Sequence, residues 1–442
     1  MSLTVSESRR DPCEVVIAGG GVAALETVLA LHHLAPGRVR MCVLAPGREF
    51  VHRPLAVAEP FDRAVVRRWP LGAIAADHGA IHVRDTLAAV DADAGCVETG
   101  AGRTLGYDAL LVAVGARAEV AVDGALTFEG PASVEAMRDL LAAAERGSVR
   151  SIAFAVPRHV SWTLPLYELA LMTAAHLSGH GARGIALSVV SPERSPLEVF
   201  GRRASDTVAA LLRDGGVDFR RGAPERTTSD GLRLADGRGV EADAVVAMPR
   251  LVAPEIPGLP LTSGGLVPTD LHSRVDGVEN VYAAGDITWY PIKQGGIAAQ
   301  QADAAAQAIA AAAGAHVAAR PFRPVLRGIL LTGGDAHYLR SGEEAATSAL
   351  WHPRSKVAGR YLGPYLAGSP ERVLHDRTAD EGEGDGVAIA LALDAADANA
   401  GWSDYPEALR WLDVAEGLAI ALPGRYADKR REWAERICET AR

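Results

Sequence analysis

The sequence predicts an α/β protein built from two doubly wound, Rossmann-like parallel-sheet domains and a C-terminal α+β interface domain. Three observations predict it. Short apolar runs alternate with helical runs over residues 13 to about 118, and again over about 119 to 255. That alternation is the pattern of parallel sheets with crossover helices. A glycine-rich turn separates the first strand from the first helix. Finally, the chain changes character from residue 320, where four of the seven tryptophans lie. The domain limits read from this are 13–118 plus 256–318, 119–255 and 319–442.

Composition fixes the general class. The chain has 442 residues, 48% hydrophobic and 23% charged, the balance of a globular protein with ample core. Disorder, collagen-like repeats and a disulfide scaffold are excluded as descriptions of the whole. The net charge of −10 argues against nucleic acid as a main partner, because counterion release needs excess cationic charge. Cys13, Cys42, Cys96 and Cys438 are far apart and make no CxxC pair. Reduced thiols in a cytoplasmic protein are the expectation. No apolar stretch follows the basic pair near the N-terminus, and no run of about 18 apolar residues occurs, so neither a secretory signal nor a membrane span is expected. No His, Cys or carboxylate cluster shows metal spacing, so no metal is expected.

Val15–Ala18 reads as a buried strand, followed by Gly19-Gly20-Gly21-Val22-Ala23-Ala24 and a helix to about Leu34. This is the GxGxxG dinucleotide fingerprint with alanine in the last place. Gly19 permits the tight turn, Gly21 lets backbone approach a pyrophosphate, and Ala24 lets helix and strand pack closely. The helix N-terminus offers unpaired N–H groups and a positive dipole end to phosphates. The acidic residue expected at the end of the second strand, Arg40–Leu44, is missing, since that position falls near Ala45. Backbone groups, Arg48 or water are the remaining ways to hold a ribose there.

Tyr107–Ala116 is an apolar strand ending in a small-residue turn, and Ala113, Val114 and Gly115 lie where the chain passes a bound dinucleotide. Leu87 is a further neighbour of that path. Asn280–Ala284 is another strand, closed by Gly285-Asp286. Asp286 either accepts hydrogen bonds from sugar-alcohol hydroxyls or serves as a loop or cap carboxylate. Lys293-Gln294-Gly295-Gly296 opens an alanine-rich helix that Gly314 ends. Its N-terminus suits the pyrimidine end of a flavin, where a positive helix end stabilises negative charge. These three segments in this order point to FAD.

The combination resembles the two-dinucleotide-fold FAD/NAD(P)-binding flavoproteins (pyridine nucleotide-disulfide oxidoreductase-like), over residues 13 to 315. Val190–Gly201 and Lys293–Gly296 carry a nearer resemblance to the sulfide:quinone oxidoreductase, flavocytochrome c flavoprotein and type II NADH dehydrogenase group. By that resemblance Phe50–Leu55 runs along the flavin, with Arg53 and Pro54 as neighbours, although a surface-loop arginine fits Arg53 equally. His52 is a conceivable point of covalent flavin attachment.

The second unit departs from the NADH-using pattern. Its first strand, Ile152–Val156, runs into Pro157-Arg-His-Val-Ser-Trp-Thr-Leu-Pro165, with no glycine in the turn. Side chains block close approach of a pyrophosphate there, and Pro157 removes a donor. NAD(P)H binding in the usual pose is therefore weakly supported. The turn resembles the sulfide-oxidising branch, yet Ser161 and Trp162 stand where its cysteine sits, and residues 315 to 437 contain no cysteine. A serine hydroxyl does not replace that thiol chemistry.

Candidate catalytic residues are Glu168, Lys293 and Ser161. Glu168 is read either as a buried proton relay or as an exposed first-turn glutamate stabilised by the helix dipole. Lys293 either stabilises flavin negative charge or is a surface lysine. His159 and Trp162 line the flavin pocket or serve the turn and core, and His32-His33 are read as structural or solvated. Pro321–Leu331 looks like a strand beneath the flavin domain, and the hydrophilic stretch Asp376–Asp385 like a mobile loop. Tyr405–Leu422 is apolar on one side but carries Glu407, Asp413 and Glu416, which suits an internal or dimer interface better than an anionic lipid surface.

Three functions follow as expectations. The first is a cytoplasmic, homodimeric FAD-dependent oxidoreductase that passes electrons from a small-molecule donor through the flavin without a protein dithiol. The second is a membrane-associated quinone reductase. The third is a flavin-binding protein whose reductase activity has lapsed and which acts as an interaction partner.

Overall fold

In the computed structural model the described residues are 11–158, 160, 162–340, 356, 359–368, 384–401, 403–418 and 422–440. His159, Ser161 and residues 376–383 of the stretch read as a mobile loop lie outside them, and the last two residues of that stretch open the helix Gly384–Gly401.

Two five-stranded parallel sheets dominate. The first has the order Val281–Ala283, Ala109–Val112, Cys13–Ala18, Val39–Leu44, Ala80–Val83. Ala109–Val112 is buried at every position, as expected for a strand covered on both faces. The second sheet has the order Leu126–Thr127, Ala244–Ala247, Ser151–Ala155, Ala186–Ser191, Val217–Arg221. Each unit also carries a three-stranded antiparallel sheet, Leu87–Gly106 in the first and Pro224–Glu241 in the second. The chain passes between the units twice, and the two passages pair: Arg117–Glu119 lies antiparallel to Arg250–Val252.

Helix Val22–Leu34 follows the first strand, and helix Gly295–Ala312 follows the returning strand. Their contact is made by small side chains, with Ala23, Ala24, Ala30, Ala298, Ala302 and Ala305 in one buried cluster. Gly314, at φ +80°, follows the end of the alanine-rich helix.

The C-terminal section is held onto the first unit by a buried carboxylate. Glu26, fully buried in the first helix, accepts N–H bonds from Tyr361 (3.0 Å) and Leu362 (2.8 Å). A Cβ on Gly359 would lie 2.4 Å from Glu26 Oε2, so only glycine lets this segment approach. Burial raises Glu26 to about 7. Of the strand expected in Pro321–Leu331, Arg327–Leu330 is formed, antiparallel to His337–Arg340. Tyr405–Leu418 is a helix packed between Gly384–Gly401 and Gly424–Thr440. Its acids are paired within the chain: Glu407 with Arg410 (2.7 Å), Asp413 with Arg430 (2.5 Å) and Glu416 with Arg430 (2.8 Å). This is the internal packing expected of it.

Candidate functional site

The first glycine turn has the shape that a phosphate cradle requires. Gly19 sits at φ +134°, and a Cβ there would lie 2.1 Å from the Ala113 carbonyl oxygen. The glycine therefore allows two parallel strands to meet at their carboxyl ends, the place where ligands bind in open α/β sheets. Gly20 faces Leu71 and Ala45, with a built Cβ 2.8 Å and 3.2 Å from them. This explains the missing acidic residue, because Ala45 is buried against the glycine turn. At Gly21, by contrast, a Cβ would meet nothing within 4 Å. Gly21 is the N-cap of the first helix and supplies no side-chain cap, so the first-turn N–H groups of Val22, Ala23 and Ala24 lack intrahelical partners.

The Gly285-Asp286 turn converges on the same place. Gly285 has φ +84°, and its Cβ position lies 3.6 Å from the methyls of both Ala23 and Ala298. One glycine thus sits where any side chain would reach the starts of both helices. Gln301 fixes the turn: its Oε1 accepts from Gly285 N–H at 2.8 Å, and its amide donates to Thr288 Oγ1 at 3.1 Å. The sequence reading missed Gln301, which the sequence does not set apart from Gln300, Asp303 and Gln307 in the same alanine-rich helix.

Asp286 carries no recorded hydrogen bond among the described residues, and faces two cations. Burial raises its pKa, against the opposing pull of Lys293 and Arg53. Arg53 is exposed and opens the 3-10 helix Arg53–Phe61, with Pro54 after it. Lys293 is no loose surface lysine. Its ammonium donates to the carbonyls of Thr288 (2.5 Å) and Tyr290 (2.8 Å), and burial lowers its pKa to about 7. Gln294 caps the alanine-rich helix, accepting from Ile297 N–H at 2.9 Å and donating to Arg327 O at 2.8 Å. Its side chain is spent on the helix start, leaving Gly295 and Gly296 to present backbone. Val114 and Leu87 pack against one shared apolar cluster beneath these turns, and Gly115 turns the chain away at φ +74°.

Glu168 corrects one expectation. The helix begins at Leu164, so Glu168 stands in its second turn, fully buried. The exposed first-turn reading is overturned. Its carboxylate pairs with Lys356 at 2.5 and 2.6 Å and accepts the Leu331 N–H at 2.9 Å. Burial raises its pKa, and Lys356 opposes the rise. Lys356 also acts on His52, which burial, Arg67 and Lys356 together lower to about 4. His52 is therefore neutral near pH 7, and its Nε2 has no hydrogen-bond partner among the described residues. Trp162 is half-buried and stacks edge-on against Phe200 at 5.7 Å, which is the core role.

The second unit has the opposite arrangement. Helix Leu164–Gly179 starts beyond the proline turn, with proline in its first turn. Just past the second strand, Glu193 occupies the region where a dinucleotide fold places its ribose-binding acid. The carboxylate is already occupied by hydroxyl donors from Thr163 (3.1 Å), Tyr167 (2.6 Å) and Ser191 (2.8 Å). Burial nevertheless raises Glu193 to about 7. The acid that the first unit lacks is thus present in the second, consumed by the chain itself.

Comparison with known proteins bears on the fold. A family model described as pyridine nucleotide-disulphide oxidoreductase matches residues 169–312. An NADH dehydrogenase-like protein of Mycobacterium tuberculosis is 27% identical over 298 residues, which cover 62% of this chain and 72% of that protein. Among solved structures, the sulfide:quinone oxidoreductase of Aquifex aeolicus superposes with a TM-score of 0.68 at 20% identity, covering 74% of this chain and 83% of that one. A ferredoxin reductase of Rhodopseudomonas palustris superposes with a TM-score of 0.56 at 16% identity, covering 74% and 81%. These structural likenesses establish the shared fold.

Proposed function

We propose that this chain is an oxidoreductase of the pyridine nucleotide-disulphide oxidoreductase-like kind, a reading supported by the family model and the relatives it resembles, and that it binds FAD in the first unit and passes electrons through that flavin without a protein dithiol. The observation that carries the reading is the convergence at Gly285, where a side chain would reach the starts of both the Val22 and Gly295 helices. A dinucleotide laid from one helix start to the other fits the open face at Gly21 and the hydrogen-bond capacity of Asp286.

When bound, FAD supplies reversible two-electron acceptance. The protein's own part is binding and electrostatics. Val22, Ala23 and Ala24 N–H groups hold phosphate oxygens. Asp286 accepts hydroxyl hydrogen bonds, and its charge is stabilised by Lys293 and Arg53. The start of the Gly295 helix and Lys293 favour negative charge nearby. Lys356 holds the Glu168 carboxylate in place, and a buried carboxyl whose pKa burial raises can hold or release a proton.

Direct reduction by a small-molecule donor is favoured over pyridine nucleotide, because Pro157 and the Glu193 hydroxyl network leave the second unit no cradle. Absence of any CxxC pair supports a route without thiols. The domain limits, a homodimeric state and a cytoplasmic location belong to the same reading. No helix among the described residues is long and apolar enough to cross a membrane.

The test is anaerobic rapid mixing of the reconstituted yellow protein with NADH, NADPH, sulfide and reduced quinone analogues, read by bleaching of the flavin. Bleaching by a small donor with no faster reaction for NADH is the expected result. A colourless protein that takes up no FAD sinks the reading. A flavin that no donor bleaches leaves binding intact and removes the enzymatic claim.

A further inference from the structure

A cluster on the far side of the second unit has no role in the flavin site. Helix Val134–Glu145 ends at Glu145, and helix Leu164–Gly179 carries His176 in its last turn with His180 as its C-cap. Two histidines four residues apart lie on one helix face, one turn from each other. Glu145, a neighbour only in space, completes the group. His176 Nε2 lies 2.6 Å from Glu145 Oε1, the His176 and His180 rings are 4.2 Å apart between centroids, and the ligand atoms of all three residues lie within 4.8 Å of one another.

We propose that Glu145, His176 and His180 form a site for a divalent transition-metal ion of the Zn(II) class. The donor set is two neutral imidazoles and one carboxylate, which suits zinc in chemistry and carries one compensating negative charge. Tetrahedral zinc with bonds of about 2.0–2.1 Å needs ligand atoms roughly 3.3 Å apart. The His176–Glu145 separation lies below that value and the 4.8 Å outer limit of the group above it. One imidazole is already oriented. His180 Nδ1 donates to the His176 carbonyl at 2.8 Å, which leaves the Nε2 lone pair free. This is the outer-shell arrangement that fixes the tautomer of metal-bound histidines. Phe61 packs edge-on against His176 at 5.8 Å and walls one side with apolar surface. Glu145 and His180 are exposed, so an ion enters from solvent and keeps water in the remaining position.

The site is separate from the buried Glu168–Lys356 pair. His176 lies eight residues along the helix from Glu168, roughly 12 Å by helical rise. The consequence of occupancy is mechanical: the ion ties the ends of the two helices together and stiffens the second unit at the end away from its nucleotide turn.

The experiment titrates Zn(II) into the untagged full-length chain by calorimetry, and Co(II) by visible absorption. Expected results are one ion per chain, the absorption bands of low-coordinate Co(II), and a rise in Tm that a chelator reverses. Glu145→Gln and His180→Gln each weaken binding at least about tenfold, and both positions are exposed, so the fold tolerates them. His33→Gln, on the exposed first-helix surface, leaves binding unchanged. Absence of one-to-one binding up to millimolar Zn(II), or binding that neither Glu145→Gln nor His180→Gln weakens, overturns the proposal.

Discussion

The two nucleotide-type units share a five-stranded parallel order and an antiparallel appendage, yet their first turns solve opposite problems. In the first unit Gly19 lets strands close together, Gly21 leaves open space, and no acid waits at the second strand's end. In the second unit the acid is present as Glu193, but Pro157 and Pro165 replace the glycines, and Thr163, Tyr167 and Ser191 consume the carboxylate. A shared fold therefore does not mean two shared ligands. Ligand capacity is decided by which backbone atoms a turn leaves uncovered and which polar groups remain unspent.

Four measurements would break or sharpen that contrast, from the largest expected effect down, first in ligand affinity and then in stability. If the units differ as described, FAD binds the first at least about a thousandfold more tightly than NADH binds the second, a gap of about 4 kcal/mol. Equilibrium dialysis of each against the purified chain measures it, and comparable affinities erase the contrast. Gly21→Leu fills the open face at the helix start, where the built Cβ meets nothing within 4 Å. FAD affinity is expected to fall at least about a hundredfold with circular dichroism unchanged, since backbone approach is lost while packing is kept. An equally yellow variant contradicts the placement of the pyrophosphate.

Lys356→Met strands the buried Glu168 charge inside the second unit. Breaking one partner of a buried pair costs about 3–5 kcal/mol, read as a lowered urea midpoint, and Glu168→Gln in the same chain should restore much of it. An additive double variant shows that the pair is not coupled.

The smaller of the two stability effects concerns the clasp between the first unit and the C-terminal section. Glu26 is raised from 4.5 to about 7 in the folded state. The folded chain therefore binds this proton more tightly than the unfolded chain. The associated stability is fully present below pH 4.5 and is lost as pH rises through about 7, by on the order of 3 kcal/mol at most. Glu26→Gln should flatten that stretch of the stability–pH curve. A slope unchanged by the substitution shows that Glu26 does not set it.

Much of the fold was legible because it rests on local patterns. Val22–Leu34 forms the helix its glycine turn announced, and Gly295–Ala312 begins at the Gln294 cap and ends before Gly314. The site was half legible. Gly19, Gly21, Gly285 and Asp286 stand in turns whose backbone chemistry a motif encodes. Gln301, Lys356 and Glu193 escaped because their importance lies in long-range contacts: Lys356 meets Glu168 across 188 positions. Glu168 itself was misplaced by one helical turn, and the turn decided whether its carboxylate was exposed or buried.

The amino-acid sequence alone determined where strands and helices alternate, which turns can take positive φ, and which thiols are missing. Those properties depend on a residue and its near neighbours. Only the tertiary structure decided whether each polar group is free or spent. Ala45 is closed off by Leu71 and Gly20, Glu193 by three hydroxyls, and Lys293 by two carbonyls. Burial and partnership are set by segments that meet in space, and it is their sum that turns a carboxylate or an amine into a binding group or a strut.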